Sequence, residues 1–460
     1  MMKEVYFRAM LTGDDLALGP VYFFLFMLTA FFLRNFAMKH DNPARKYYVI
    51  GLAVKLVGAA MVGVIYQFYY DGGDTTQYYN NARVIYNAFN DSPFYFYRLM
   101  LTGPNFSDPA VASYGYWMYF HQDHAGWFFG KICGLLSIFS FGTYVPIAMC
   151  LAFISFLGAW SLFITFCKIY PSMHKQFAIA VLFIPSVVFW GSGVLKDSMT
   201  FASVGFMTSA VYNLFFERRR VFFNSLLFFA AAYVGFKLKA YIVYSMLPAL
   251  VFWVFLHIRS QVSTGALRTM LGPVAILCAA IFGFLLVRQL GASFTESVER
   301  AQVFQDYHTL LAEKNNASGY SLGATDGSFL SILSKIPAAA NVTLFRPYLW
   351  ETRNPVMLLS ALESTLMMLF TLVIFWRTGF TNTFRSLARN PTAFFCMFFA
   401  IFFAFAVGFT AYNFGALVRY KIPCIPFFVA GLYILKMQKV EDKAARLELK
   451  KHKTPRFVTS

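Results

Sequence analysis

A chain of 460 residues is long enough for two or three soluble domains, but 58% of it is hydrophobic, 20% aromatic and only 13% charged. Ordinary globular chains are about 45–50% apolar and about 25% charged, so this one has too little polar surface to clothe soluble domains, and its 57 Phe require lipid around them. The formal charge of +18 has no basic domain to carry it; it is read as membrane topology first and anion binding second, with no nucleic-acid partner. Six cysteines fall almost entirely in apolar stretches without a CxxC, the pattern of small buried hydrophobes.

A helical crossing needs about 20 mostly apolar residues. In chain order such stretches lie at 20–36, 47–69, 142–166, 177–190, 199–216, 221–235, 240–257, 270–287, 356–376, 393–411 and 423–435. The expected fold is therefore all-α, a polytopic transmembrane bundle of eleven spans. A further stretch, 127–141, is short and contains Lys131 and two glycines; it reads as a re-entrant or interfacial helix. The start of the chain lacks the pattern of a cleavable signal peptide.

Alternate connections differ in charge, as the positive-inside rule requires. The short basic set holds Arg34, Lys39, Arg45 and Lys46, then Lys168 and Lys175, Arg218 to Arg220, Arg259 and Arg268, Arg377, Arg385 and Arg389, and the Lys-rich tail. The other set comprises the N-terminus, the long loops 71–126 and 288–353, the turn at Lys196 and the segment 413–421. The first set is predicted to be cytoplasmic, with the N-terminus outside. The division is a membrane domain over 1–436 with external loops 71–126 and 288–353, and a basic cytoplasmic tail over 437–460. No fixed-period repeat occurs, and 315–327 reads as part of an external loop.

Four polar clusters then fall on the outer face. After the second span comes Asp71, Gly72, Gly73, Asp74, Thr75, Thr76, Gln77, Tyr78. Asp74 there either N-caps a helix with Gln77 at N3 or, with Tyr78 one turn on, accepts a proton from a substrate hydroxyl; Asp71 is the second candidate base. A divalent cation between the two carboxylates is possible, although no cofactor is required. The second cluster runs Gly191, Ser192, Gly193, Val194, Leu195, Lys196, Asp197: a Gly-Ser-Gly turn and a Lys-Asp pair opening a helix. It reads either as helix-end electrostatics with a snorkelling lysine or as a phosphate site. The third runs from Leu344 to Glu351, with Arg346 and Glu351 a candidate ion pair and Tyr348 and Trp350 suited to an aromatic belt. Glu363, two turns into the next span, needs a buried partner or a wet cavity. The fourth runs from Asn413 to Pro423; Arg419 and Lys421 in it are anion ligands or interfacial anchors. His121 and His124 flank Asp123, but no third metal ligand is specified. No zinc-protease, P-loop or nucleophile-elbow motif is present.

The segment Gly73, Asp74, Thr75, Tyr78, Ala82 resembles the carboxylate motif at the start of the first large external loop of GT-C glycosyltransferases. The segments PSVVFWGSGVLKDS, FRPYLWE and NFGALVRYKIP are similar to those of bacterial multispanning proteins placed near GT-C enzymes and EpsG/Wzy-type polysaccharide polymerases. The resemblance implies a bacterial inner-membrane enzyme that transfers sugar from a polyprenyl-phosphate donor to a glycan, lipid or protein acceptor, inverting the anomeric centre. It implies Asp74 as base and Lys196, Arg346, Arg419 and Lys421 as phosphate ligands, with Tyr78, Ser192, Asp197, Glu351 and Asn413 around them. One departure is that the motif follows the second predicted span rather than the first. A Wzy-type polymerase, a transporter and a structural membrane subunit are the alternatives.

Overall fold

The structure is a computed structural model and describes residues 9–104, 108–261, 319–323, 329–411 and 413–453. The predicted span 270–287, most of the loop 288–353 and, apart from 319–323, the stretch 315–327 lie outside the described residues. Regular structure within them is helical; one isolated antiparallel bridge joins Gly319 and Asn413. The chain divides into two compact units, 1–246 with 418–423, and 247–417 with 424–460.

The first unit begins with α1 (Gly13–Ala37). Thr12 and Asp15 form a capping box, and the second oxygen of Asp15 accepts the Val145 amide at 2.8 Å. One buried carboxylate thus serves the orphan N–H groups of two helix starts, the second belonging to α6. Next come α2 (Lys46–Phe68), α3 (Asp74–Asp91), α4 (Pro93–Leu101) and α5 (His124–Ile138). They are followed by α6 (Tyr144–Ile169), α7 (His174–Leu182), α8 (Pro185–Trp190), α9 (Lys196–Phe215) and α10 (Val221–Gln261), whose residues from Leu247 on belong to the second unit. α6 packs against α1, α2, α7 and α9. Its approach to α9 is backbone to backbone, since a Cβ on Gly158 would collide with Ala202 and one on Gly205 with the Gly158 carbonyl. Small residues at such crossings let membrane helices approach closely.

Outside this bundle, α3 to α5 enclose a small core of Val84, Ile85, Ala88, Leu99, Val111, Tyr114, Met118 and Trp127. Lys131 donates to the Met100 and Thr102 carbonyls at the end of α4, at 2.9 and 2.7 Å. A cation on orphan C-terminal carbonyls is favourable, which accounts for the lysine in an otherwise apolar stretch.

The second unit contains α11 (Phe329–Ser334), α12 (Ile336–Phe345), α13 (Pro355–Thr378), α14 (Phe380–Arg389) and α15 (Pro391–Thr410), followed by α16 (Phe414–Tyr420) and α17 (Ile425–Lys453). The last three residues of α16 belong to the first unit. α15 packs on α12 and α17. Asn354 and Asn390 cap α13 and α15, each followed by proline at the first helical position, the usual order at a helix start.

Among the described residues six helices are long and apolar enough to cross a membrane, or seven if Phe414–Tyr420 and Ile425–Val440 form one bent crossing. This is a helical membrane protein. The six or seven differ from the eleven predicted spans at identifiable places. The stretch 177–190 is broken into α7 and α8, because Pro185 excludes the residue before it from helix. The stretch 199–216 forms α9, which is not among the six. The stretches 221–235 and 240–257 merge into the 41 residues of α10, interrupted only at Lys239, whose φ of −153° and ψ of 86° are not helical. At about 1.5 Å per residue, 41 residues exceed one bilayer crossing of about 30 Å, and the break leaves two arms of nearly sufficient length. α5, in place of the stretch 127–141, has 15 residues and is not among the six.

Candidate functional site

The site lies in the first unit, and the turn after α2 creates it. Asp71, Gly72 and Gly73 all have positive φ, at 52°, 114° and 134°. This left-handed run suits glycine, and a Cβ at Gly73 would strike the Tyr66 ring. The Gly72 amide closes the turn on the Tyr66 carbonyl at 2.8 Å. Because the chain reverses here, the N-cap of α3 is Gly73, and the capping-box reading of Asp74 and Gln77 is not what forms. Asp74 occupies the first helical position with its side chain free for another partner.

That partner is Arg419. Its Nη2 lies 2.8 Å from Asp74 Oδ2 and 3.5 Å from Asp197 Oδ2, and its Nη1 donates to the Tyr66 hydroxyl at 2.9 Å. Asp197, in the first turn of α9, accepts from Lys239 Nζ at 2.5 Å. Lys239 reaches it because α10 breaks at that residue, and its ammonium also sits 3.8 Å from the Tyr420 ring centroid. The side chains grade outward from buried to open: Asp197 is 1% exposed, Lys239 10%, Arg419 14% and Asp74 48%. Among the described residues, the buried Arg419 Nε and Asp197 Oδ2 have no hydrogen-bond partner.

Lys196 forms the outer flank. It pairs with Asp123 at 3.4 Å and lies 5.6 Å from the ring centroid of Tyr78. Asp123 is also the N-cap of α5, accepting the Ala125 and Gly126 amides at 3.0 and 2.9 Å. Tyr78 is buried between Phe120, stacked at 4.5 Å, and Phe129, edge-on at 4.8 Å. Burial, and after it the Asp74 carboxylate, push the Tyr78 phenol well above its ordinary range; it stays a neutral hydroxyl under any ordinary condition.

The remaining predicted residues take other places. Ser192 is buried and its hydroxyl donates back to the Val188 carbonyl, within the turn. Lys421 is 1% exposed. Asp71 is exposed. Arg346, Glu351 and Asn413 belong to the second unit. There Arg346 and Glu351 form the predicted ion pair, with Arg346 Nε at 3.0 Å from Glu351 Oε2, and the carboxylate also takes the Tyr348 amide at 2.8 Å. The Arg346 guanidinium stands 5.0 Å from the Phe414 ring centroid. Asn413 caps α16, accepting the Gly415 amide at 2.7 Å.

Sequence reasoning missed Lys239, Tyr66 and Asp123 as site members. A signal for Lys239 was present: Lys237 and Lys239 interrupt two apolar stretches at a junction on the predicted outer side, where positive charge runs against topology. Among the described residues no group of three or more His, Cys, Asp or Glu side chains is placed to hold a metal ion. No protein-family model, curated protein or solved structure matches this chain.

Proposed function

We propose that the protein is a membrane glycosyltransferase of the GT-C type, moving a sugar from a polyprenyl-phosphate donor to an acceptor on the non-cytoplasmic face of a bacterial inner membrane. The observation that carries this reading is the pairing of Asp74, half open at the end of a membrane helix, with Arg419, backed by the buried Asp197–Lys239 pair. A carboxylate so placed accepts the proton of an acceptor hydroxyl. The oxygen forms a bond to the anomeric carbon as the bond to phosphate breaks, with inversion, and the polyprenyl phosphate departs with the electron pair. On this reading Arg419 and Lys196 neutralise that phosphate charge; Lys421, and in the second unit Arg346, are the other cations the resemblance offers for that role. A lipid-linked donor suits a site at the end of α2, because its chain remains in the bilayer while its phosphate stays at headgroup level. The reading includes a bundle of eleven crossings, the N-terminus outside and the C-terminal tail cytoplasmic.

The test is transfer by the purified protein in lipid vesicles from polyprenyl-phosphate sugars to a panel of glycan, lipid and peptide acceptors. Asp74→Asn is expected to lower transfer by about 10²–10⁴, the usual contribution of a positioned base, with thermal stability retained. Polymer growth that survives Asp74→Asn would instead indicate a Wzy-type polymerase. No transfer from any donor, with the folded protein present, would leave the transporter and structural-subunit readings.

A further inference from the structure

The site is electrostatically closed on itself. Asp74, Asp123 and Asp197 stand against Lys196, Lys239 and Arg419, so three negative charges meet three positive ones. The anionic phosphodiester of a donor entering this cluster adds uncompensated charge unless one of the carboxylates gives up its cation. Exposure and hydrogen bonding together indicate which one. Asp197 is 1% exposed and held by Lys239; Asp123 is 45% exposed but also fixed by the Ala125 and Gly126 amides; Asp74 is 48% exposed and, among the described residues, has a single ion pair, with Arg419. The guanidinium keeps its place without Asp74, being fixed by the Tyr66 hydroxyl and by Asp197. Its buried Nε also has no hydrogen-bond partner among the described residues. Guanidinium donors lie in a planar fork that suits two phosphate oxygens at once.

We infer that Asp74 and a ligand phosphate are alternative partners of Arg419: the donor's phosphate takes the guanidinium, and the released Asp74 carboxylate is then open to the acceptor hydroxyl. The inference rests on the glycosyltransferase reading and adds an order to it. While Asp74 Oδ2 accepts an N–H of Arg419, the carboxylate is turned to the cation. A bound donor turns it to the acceptor. An acceptor arriving alone finds its base engaged, so productive binding is donor first.

The experiment is equilibrium binding to the full chain in detergent micelles, with inorganic pyrophosphate and a polyprenyl phosphate as separate probes. Asp74→Asn removes the competitor and is expected to tighten phosphate binding by about tenfold, the scale of one charge-assisted contact. Asp71→Asn removes the same charge three residues away without unblocking Arg419, and is expected to stay within about twofold of wild type. Arg419→Gln loses the binding and Arg419→Lys recovers part of it, each compared at equal thermal stability. Tightening with both probes identifies phosphate itself as the ligand chemistry; tightening with the polyprenyl phosphate alone identifies the lipid-linked form. Wild-type binding that Asp74→Asn fails to tighten, or that Asp71→Asn tightens equally, overturns the inference and leaves the function intact. Absence of binding by either probe to any variant overturns both.

Discussion

At Lys55 an ammonium group 1% exposed lies inside a predicted crossing. It donates to Gly191 O at 2.7 Å, Ser155 Oγ at 3.0 Å and Val187 O at 3.2 Å, and rests 4.8 Å from the Phe201 ring centroid. Both carbonyls lie at the end of α8, beyond the helix's own donors; Gly191 O also accepts the Ser155 hydroxyl at 2.6 Å, so an apolar side chain would leave chiefly Val187 O short of a donor. Truncation to alanine leaves both a cavity and an unsatisfied acceptor, so Lys55→Ala is expected to cost about 2–5 kcal/mol, read as a lower unfolding midpoint in detergent. Lys55→Met, which fills the space and removes the buried charge, is expected to cost less; equal loss in the two variants would assign the effect to the hydrogen bonds alone. A second residue-scale prediction concerns Glu351. Burial raises its carboxyl, but the Arg346 guanidinium and the Tyr348 amide outweigh this and hold it below the ordinary 4.5. A depressed folded value means that the contribution to stability is present above pH 4.5 and is lost as pH falls through the folded value. Glu351→Gln is therefore expected to lower stability at neutral pH and to flatten the acid limb of a stability-against-pH curve below about pH 4.5; an acid limb as steep as in wild type would remove this residue from the account.

Elements were legible in the sequence where the code is local. Asn354–Pro355 and Asn390–Pro391 mark helix starts by cap chemistry, whereas the stretch 177–190, read as one crossing, breaks before Pro185. α3 is buried around most of its circumference, at Thr75, Tyr78, Tyr79, Asn80, Asn81, Ala82, Val84, Ile85 and Ala88, and its helical spacing brings Tyr78 one turn from Asp74. The α6–α9 crossing was not legible, because nothing near Gly158 says that Gly205 will meet it. It also sets the height of Asp197, which opens α9. Gly205→Val is expected to force the helices apart at a cost of about 1–3 kcal/mol or more, and to weaken phosphate binding beyond what the stability loss explains. Unchanged binding in a destabilised variant would show that the first turn of α9 is positioned independently of the crossing.

For the whole molecule, the charge asymmetry of alternate loops makes a direct prediction. Tyr116, 78% exposed, lies in the predicted outer segment, and Phe384, 53% exposed, lies in a predicted cytoplasmic one. A membrane-impermeant maleimide on intact cells is expected to label Tyr116→Cys and not Phe384→Cys; the reverse pattern would overturn the orientation and the proposed face of the reaction together. The solvent of this protein was determined by its sequence alone, because hydrophobicity adds residue by residue and 58% apolar content admits no aqueous answer. So was the location of a carboxylate motif just past a crossing. Only the tertiary structure decided that Asp74 meets Arg419, 345 positions away, and that Asp197 meets Lys239 at a break in α10. Charge pairing is a property of positions in space, and no local periodicity encodes which of 39 basic side chains a given aspartate will find.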